Sequence, residues 1–163
     1  MTANTSSKTN KITVTEVSAA EQRRRIDQAI ARRAYEIFEG RGAAGWHELE
    51  DWRQAESQVR CRLCFGLTTS LDSVLVGCDS GSFEKGSIEL WVAPRQITIC
   101  GKPLRPTLLA SGPAPVYRGT VFRVIVLPAV IDPKGVFAHW NSSFLELRLP
   151  IVKPHSHVHA VAV

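Results

Sequence analysis

The sequence predicts a mainly β protein, with short antiparallel strands forming a sandwich or a barrel, preceded by an α-helical hairpin. Three observations carry this expectation. Between residues 18 and 60, apolar side chains recur at the 3.6-residue spacing of helices. From Phe65 onward the period changes to two, in short runs bounded by Gly, Pro, Asp, Asn or Ser. At 163 residues and 44% hydrophobic, the chain suits one compact domain with a small appendage and is too apolar for wholesale disorder.

Residues 1–17 are polar, lack hydrophobic periodicity and are expected to form a disordered tail. Ser18-Ala-Ala-Glu21 reads as a capping box, in which the Ser hydroxyl accepts from the Glu21 amide and the Glu21 carboxylate reaches back. Ile26, Ile30, Ala34, Ile37 and Phe38 then place one apolar stripe on a first helix, which Gly40 and Gly42 stop. A second helix is expected from about Trp46 to Arg60. Leu49, Trp52, Ala55 and Val59 form its apolar side, and Glu48, Glu50 and Asp51 suit the positive end of its dipole. A hairpin of this size, residues 18–60, must pack on something else to be stable.

Strands are expected at Val74–Cys78, Ile88–Val92, Gln96–Cys100, Val121–Leu127, Val136–Trp140 and Phe144–Leu149. In the last, Leu145, Leu147 and Leu149 should face one way and Glu146 and Arg148 the other. Ala93-Pro94-Arg95 and Asn141-Ser142-Ser143 read as hairpin turns. Pro103, Pro106, Pro113 and Pro115 make residues 102–119 a long exposed loop.

The net charge of +5 raises the question of a nucleic-acid partner. Residues 21–60 are electrically neutral despite Arg23-Arg24-Arg25 and Arg32-Arg33, and most of the surplus lies in the β half. That dispersal reads as solubility and weighs against nucleic acid. No apolar run approaches the roughly 20 residues of a membrane span, and the N-terminus has no apolar segment of a secretory signal, so a cytoplasmic protein is expected. Cys61, Cys64, Cys78 and Cys100 are then expected to be reduced and structural. Cys61-Arg-Leu-Cys64 lacks the second ligand pair of a zinc site, and His155, His157 and His159 are not a preorganised one. His47 with Glu48, Glu50 and Asp51 is better explained by helix capping than by acid–base chemistry. No nucleophile elbow, phosphate loop or metalloprotease motif occurs. Neither an enzyme nor a cofactor or metal site is expected.

Several β-half motifs occur in a recognisable order. Ser80-Gly81 is followed by Ile88-Glu-Leu90-Trp-Val92 and Ile97-Thr-Ile99-Cys100-Gly101. Phe122-Arg123-Val-Ile-Val-Leu127-Pro128 comes next, then Asp132-Pro133, Ala138 and Leu145-Glu-Leu147-Arg-Leu149-Pro150. In this order they resemble the α-crystallin domain of the small heat-shock proteins over residues 65–153. The resemblance implies an Ig-like antiparallel sandwich and a non-catalytic, ATP-independent chaperone of the stress response. Its implied partners are unfolded or partly folded client proteins and further copies of the chain, as a homodimer or larger homo-oligomer.

The resemblance also implies particular surfaces. Val161-Ala162-Val163, in a C-terminal extension spanning 154–163, has the alternating apolar form with which such chains dock on a neighbouring subunit, so Val161 and Val163 are the candidate docking residues. Thr107, Leu108 and Leu109 are the candidate strand-exchange segment. Ile88, Leu90, Val92, Val136, Ala138 and Trp140 are the candidate groove strands. Residues 25–59, with Ala31-Arg-Arg-Ala-Tyr35 and Gly45-Trp-His47-Glu-Leu49-Glu-Asp51-Trp52, separately resemble a short bacterial helical domain of unknown function. The other class of function open to the chain is a non-catalytic protein-interaction or co-chaperone module.

Overall fold

The computed structural model describes residues 12–43, 45–105, 116–141 and 143–153. The candidate segments Thr107–Leu109 and Val161–Val163 lie outside those residues, as do residues 1–11 and most of the Pro-rich loop. In chain order the elements are β1 (Thr13–Glu16), α1 (Ala19–Gly40), α2 (Glu48–Val59), β2 (Phe65–Thr69), β3 (Ser73–Asp79) and β4 (Glu89–Ala93). These are followed by β5 (Gln96–Gly101), β6 (Val121–Val126), a 3-10 turn (Pro133–Gly135), β7 (Phe137–Asn141) and β8 (Phe144–Pro150). The protein is a β-sandwich of two four-stranded sheets, β1-β4-β5-β6 and β2-β3-β8-β7, with the helical hairpin between β1 and β2 in the chain.

Ser18 caps α1, its hydroxyl accepting from the Glu21 amide at 3.2 Å. The reciprocal half of the capping box does not form. Glu21 turns instead to Arg24 (2.6 and 2.7 Å) and Arg25 (2.9 Å), whose guanidinium groups hold its carboxyl down from an ordinary 4.5 to about 2. Two cations within one helical turn are stronger partners than one backbone amide. At the other end Gly42 takes φ +75°, and the Ala43 amide reaches back to the Phe38 carbonyl at 3.1 Å. That left-handed position is where glycine ends a helix cheaply.

The buried face of α1 is Gln22, Ile26, Ile30, Arg33 and Ile37, so the predicted stripe carries two polar members within it. In α2 the predicted apolar side is partly wrong. Ala55 and Val59 are fully buried, but Leu49 is 62% exposed, while Asp51 and Gln58 are buried. Polar contacts with arginines explain the rotation. Asp51 accepts from Arg41 at 2.5 Å and Gln58 from the Arg33 Nε at 2.6 Å, so the polar residues face α1.

All six predicted strands are present, within about one residue at each end. On β8, Leu145, Leu147 and Leu149 are buried and Glu146 and Arg148 exposed, as alternation requires. Two strands were not expected. The first is β2, whose Gly66 dilutes its apolar signal. The second is β1, which corrects the reading of residues 1–17 as wholly disordered: Thr13–Glu16 pair in parallel with β4 in the register Val14↔Leu90. Apart from this ladder, the paired strands are antiparallel.

Two cores result. Leu90, Val92, Ile97 and Ile99 of one sheet meet Val74, Val76, Leu145 and Leu147 of the other between the layers. A second cluster, with Ile26, Ile30, Ile37, Ala55 and Val59 against Trp91, Cys100 and Phe122, fastens the hairpin to the outer face of the β1-β4-β5-β6 sheet. The hairpin therefore obtains from the sheet the burial it could not supply alone.

Candidate functional site

The two outer faces of the sandwich differ. The hairpin covers one. On the other, the outward positions of β2, β3, β8 and β7 are Gly66, Leu75, Gly77, Phe137, His139, Phe144, Glu146 and Arg148, and no helix overlies them among the described residues. Leu75, Phe137 and Phe144 stay 43%, 62% and 44% exposed. A groove of about 780 Å³ runs between these side chains. Its floor depends on glycine. Gly66 and Gly77 are opposite one another in the β2·β3 ladder, and a Cβ on Gly77 would stand 2.8 Å from the Phe144 ring. The missing side chain at Gly77 leaves the room that the tip of the Phe144 ring takes. Phe137 stacks on His139 at 6.4 Å, forming the wall along β7. Single exposed apolar side chains need no explanation; here three of them surround one groove.

The candidate groove residues divide between the layers. Ile88, Leu90 and Val92 are buried in the inter-sheet core, whereas Val136, Ala138 and Trp140 are partly buried and pack on the same core from the β7 side. The structure thus brings both groups to one cluster. Among the described residues the buried Trp140 indole N–H has no acceptor, a costly state for a polar group. Of the other tryptophans, Trp91 lies beneath the hairpin, with Phe122 at 5.4 Å and the Arg25 guanidinium at 5.1 Å, while Trp46 is exposed.

The β4 edge beside this cluster is already taken. Strand β1 lies along it, the Val17 amide donates to the Val92 carbonyl at 3.0 Å, and Ile12 packs on the inter-sheet core. Ile12-Thr13-Val14 has the same alternating apolar form as Val161-Ala162-Val163. This segment was hidden within a polar tail, and only that short alternation could have signalled it. The terminal strands of the described sheets are β1 and β6 in one, β2 and β7 in the other.

Two of the residue groups considered in the sequence, the acidic start of α2 and the cysteines, fall among the described residues. His47 Nδ1 lies 3.1 Å from Glu50 Oε2 at the exposed start of α2, while the neighbouring Asp51 is committed to Arg41. All four cysteines are free thiols. Burial pushes Cys61 up, Cys78 up to about 11, and Cys100 further still, so these three are poor thiolates; Cys64 is exposed. Among the described residues no group of three metal-ligating side chains converges, and no helix is long and apolar enough to cross a membrane.

Comparison with known proteins gives two results. Residues 26–60 match the family model described as "Protein of unknown function (DUF2934)". Among solved structures, the chain is similar to heat shock protein 16.0 from Schizosaccharomyces pombe, at 18% identity over 64% of this chain and 76% of that one, with a TM-score of 0.47. It is also similar to HSP18.5 from E. histolytica, at 16% identity over 61% and 97% of the two chains, TM-score 0.45. A small heat-shock protein from Xylella fastidiosa gives 16% identity over 58% and 90%, TM-score 0.45. No curated protein matches the sequence.

Proposed function

We propose that the protein is an ATP-independent holdase that binds partly unfolded proteins through the bare face of its β2-β3-β8-β7 sheet and through the β4 sheet edge. The observation that carries this reading is the asymmetry of the sandwich: the hairpin seals one outer face, and the other keeps Leu75, Phe137 and Phe144 exposed around a groove. Apolar burial is non-directional, so such a surface holds segments of unrelated sequence without chemistry. The ordered motifs that resemble an α-crystallin domain support the same reading.

Strand β1 supplies the control. It is four residues long, Thr13, Val14 and Glu16 on it are exposed, and it covers an edge that a client strand or another copy's Val161-Ala162-Val163 would use. Displacing β1 exposes the β4 amides and carbonyls for strand addition. Thr107, Leu108 and Leu109 would provide an exchanged strand for a homodimer, and docking of Val161 and Val163 would extend it to a larger oligomer.

The test is light scattering of a heat-denatured client together with the oligomer mass. The full chain should suppress aggregation near stoichiometric ratio, and Phe137→Ser with Phe144→Ser should lose most of that effect while keeping the fold. A second reading, a module that docks one specific protein, is favoured by the folded, electrically neutral hairpin standing before the sandwich. A monomer without suppression, either whole or lacking residues 1–16, would select the module and overturn the holdase.

A further inference from the structure

The charge that the sequence disperses is gathered by the fold. A cleft of about 680 Å³ lies between α1, β4 and the segment 116–122, within the size range of small-molecule sites. Arg25, Arg32 and Arg33 reach it from α1, Lys102 from the end of β5, and Arg118 from the approach to β6. Glu36 is the one carboxylate among the lining residues.

These cations are not equivalent. Arg25 shares Glu21 at 2.9 Å, and the buried Arg33 is engaged by Glu36 at 2.9 Å and Gln58 at 2.6 Å. Arg32, Lys102 and Arg118 have no ion-pair partner among the described residues. The rest of the chain supplies no side-chain carboxylate either, because all 15 Asp and Glu residues fall among the described ones. Residues 106–115, the continuation of both flanking segments, are uncharged. Three uncompensated cations from three separate stretches therefore face one concavity.

We infer that this cleft binds a compact, multiply charged phosphate chain of the triphosphate class. Guanidinium groups grip phosphate oxygens in pairs and the lysine adds a point charge, a combination that rewards several anionic oxygens close together. The aromatic rings beside the cleft are already used. Arg25 lies 5.1 Å over Trp91, and Arg33 lies 5.5 Å over Tyr117, so recognition rests on charge and not on stacking a base. A nucleic-acid strand would need a basic track extending beyond the cleft, whereas elsewhere on the hairpin arginines are interleaved with acids, as Glu21–Arg24 and Glu56–Arg60 are.

The experiment is calorimetric titration of the full chain with sodium triphosphate, ATP and sulfate at matched ionic strength, with the thermal midpoint read alongside. The expected result is saturable one-to-one binding of triphosphate or ATP, a raised midpoint, and weaker binding of sulfate. The tighter of the two phosphate ligands identifies the source. The Arg32→Gln, Arg118→Gln double variant should lose at least about tenfold in affinity. Arg23→Gln, an exposed arginine of α1 outside the cleft, should bind as the parent does. Both are surface changes, and circular dichroism verifies that they fold. No saturation by about 1 mM, equal binding of sulfate, or equal loss in Arg23→Gln overturns the proposal.

Discussion

Gln22 is the residue that ties the hairpin to the sandwich. It is fully buried, donates to the Val17 carbonyl at 2.8 Å, and accepts from the Thr98 hydroxyl at 2.7 Å and the Gln96 amide at 3.1 Å. Replacing it by leucine strands a buried hydroxyl and a carbonyl, and should lower stability by about 2 kcal/mol in urea unfolding. Adding Thr98→Val removes one orphan and should recover part of the loss; full additivity of the two changes would argue against the tie. Cys78 contributes to the alkaline limit, together with Cys100, whose thiol burial pushes up further. The folded pKa of Cys78, about 11, exceeds an ordinary 9, chiefly through burial, so the contribution of the neutral thiol is complete below pH 9 and is lost as pH rises through 11. The thermal midpoint should fall over that interval, and more gently in Cys78→Ala. At the same scale, an aromatic-disulfide thiol reagent should modify the exposed Cys64 well before buried Cys78 and Cys100. Neither Gln22 nor Cys78 could be assigned these roles from composition, since each depends on neighbours distant in the chain.

At the scale of elements, β1 and α2 show where periodicity stops being informative. The strands with four or more alternating or continuous apolar residues are legible because their own side chains specify which face is buried. Strand β1 has Val14 as its only apolar residue, with Ile12 and Val17 flanking it, and its pairing partner begins at Glu89. In α2 the exposed Leu49 and buried Asp51 reverse what hydropathy implies, because Arg33 on α1 and Arg41 at its C-cap set the rotation of the second helix. Removing residues 1–16 should free the β4 edge and raise client suppression per chain, with a shift in oligomer mass. A truncated chain with unchanged suppression and mass would remove β1 from the control of that edge. In the hairpin, Ile30→Ala should cost about 3 kcal/mol, because this fully buried side chain lies in the cluster joining helix to sheet.

Across the whole molecule, the sequence by itself determined the sandwich with its preceding hairpin, the six clearest strands, and the caps at Ser18 and Gly42. These are properties of short stretches, in which period, turn chemistry and capping act within a few residues. It also presented the candidate groove residues as two separate runs, and the arginines as an ordinary solvated helix face. Only the tertiary structure decided that the hairpin seals one sheet face and leaves Phe137 and Phe144 on the other, and that β1 occupies the β4 edge. It alone decided, too, that Lys102 and Arg118 stand beside Arg32. The physical reason is common to all three: exposure and net charge are set by what packs alongside, and here the partners are separated by tens of residues of chain.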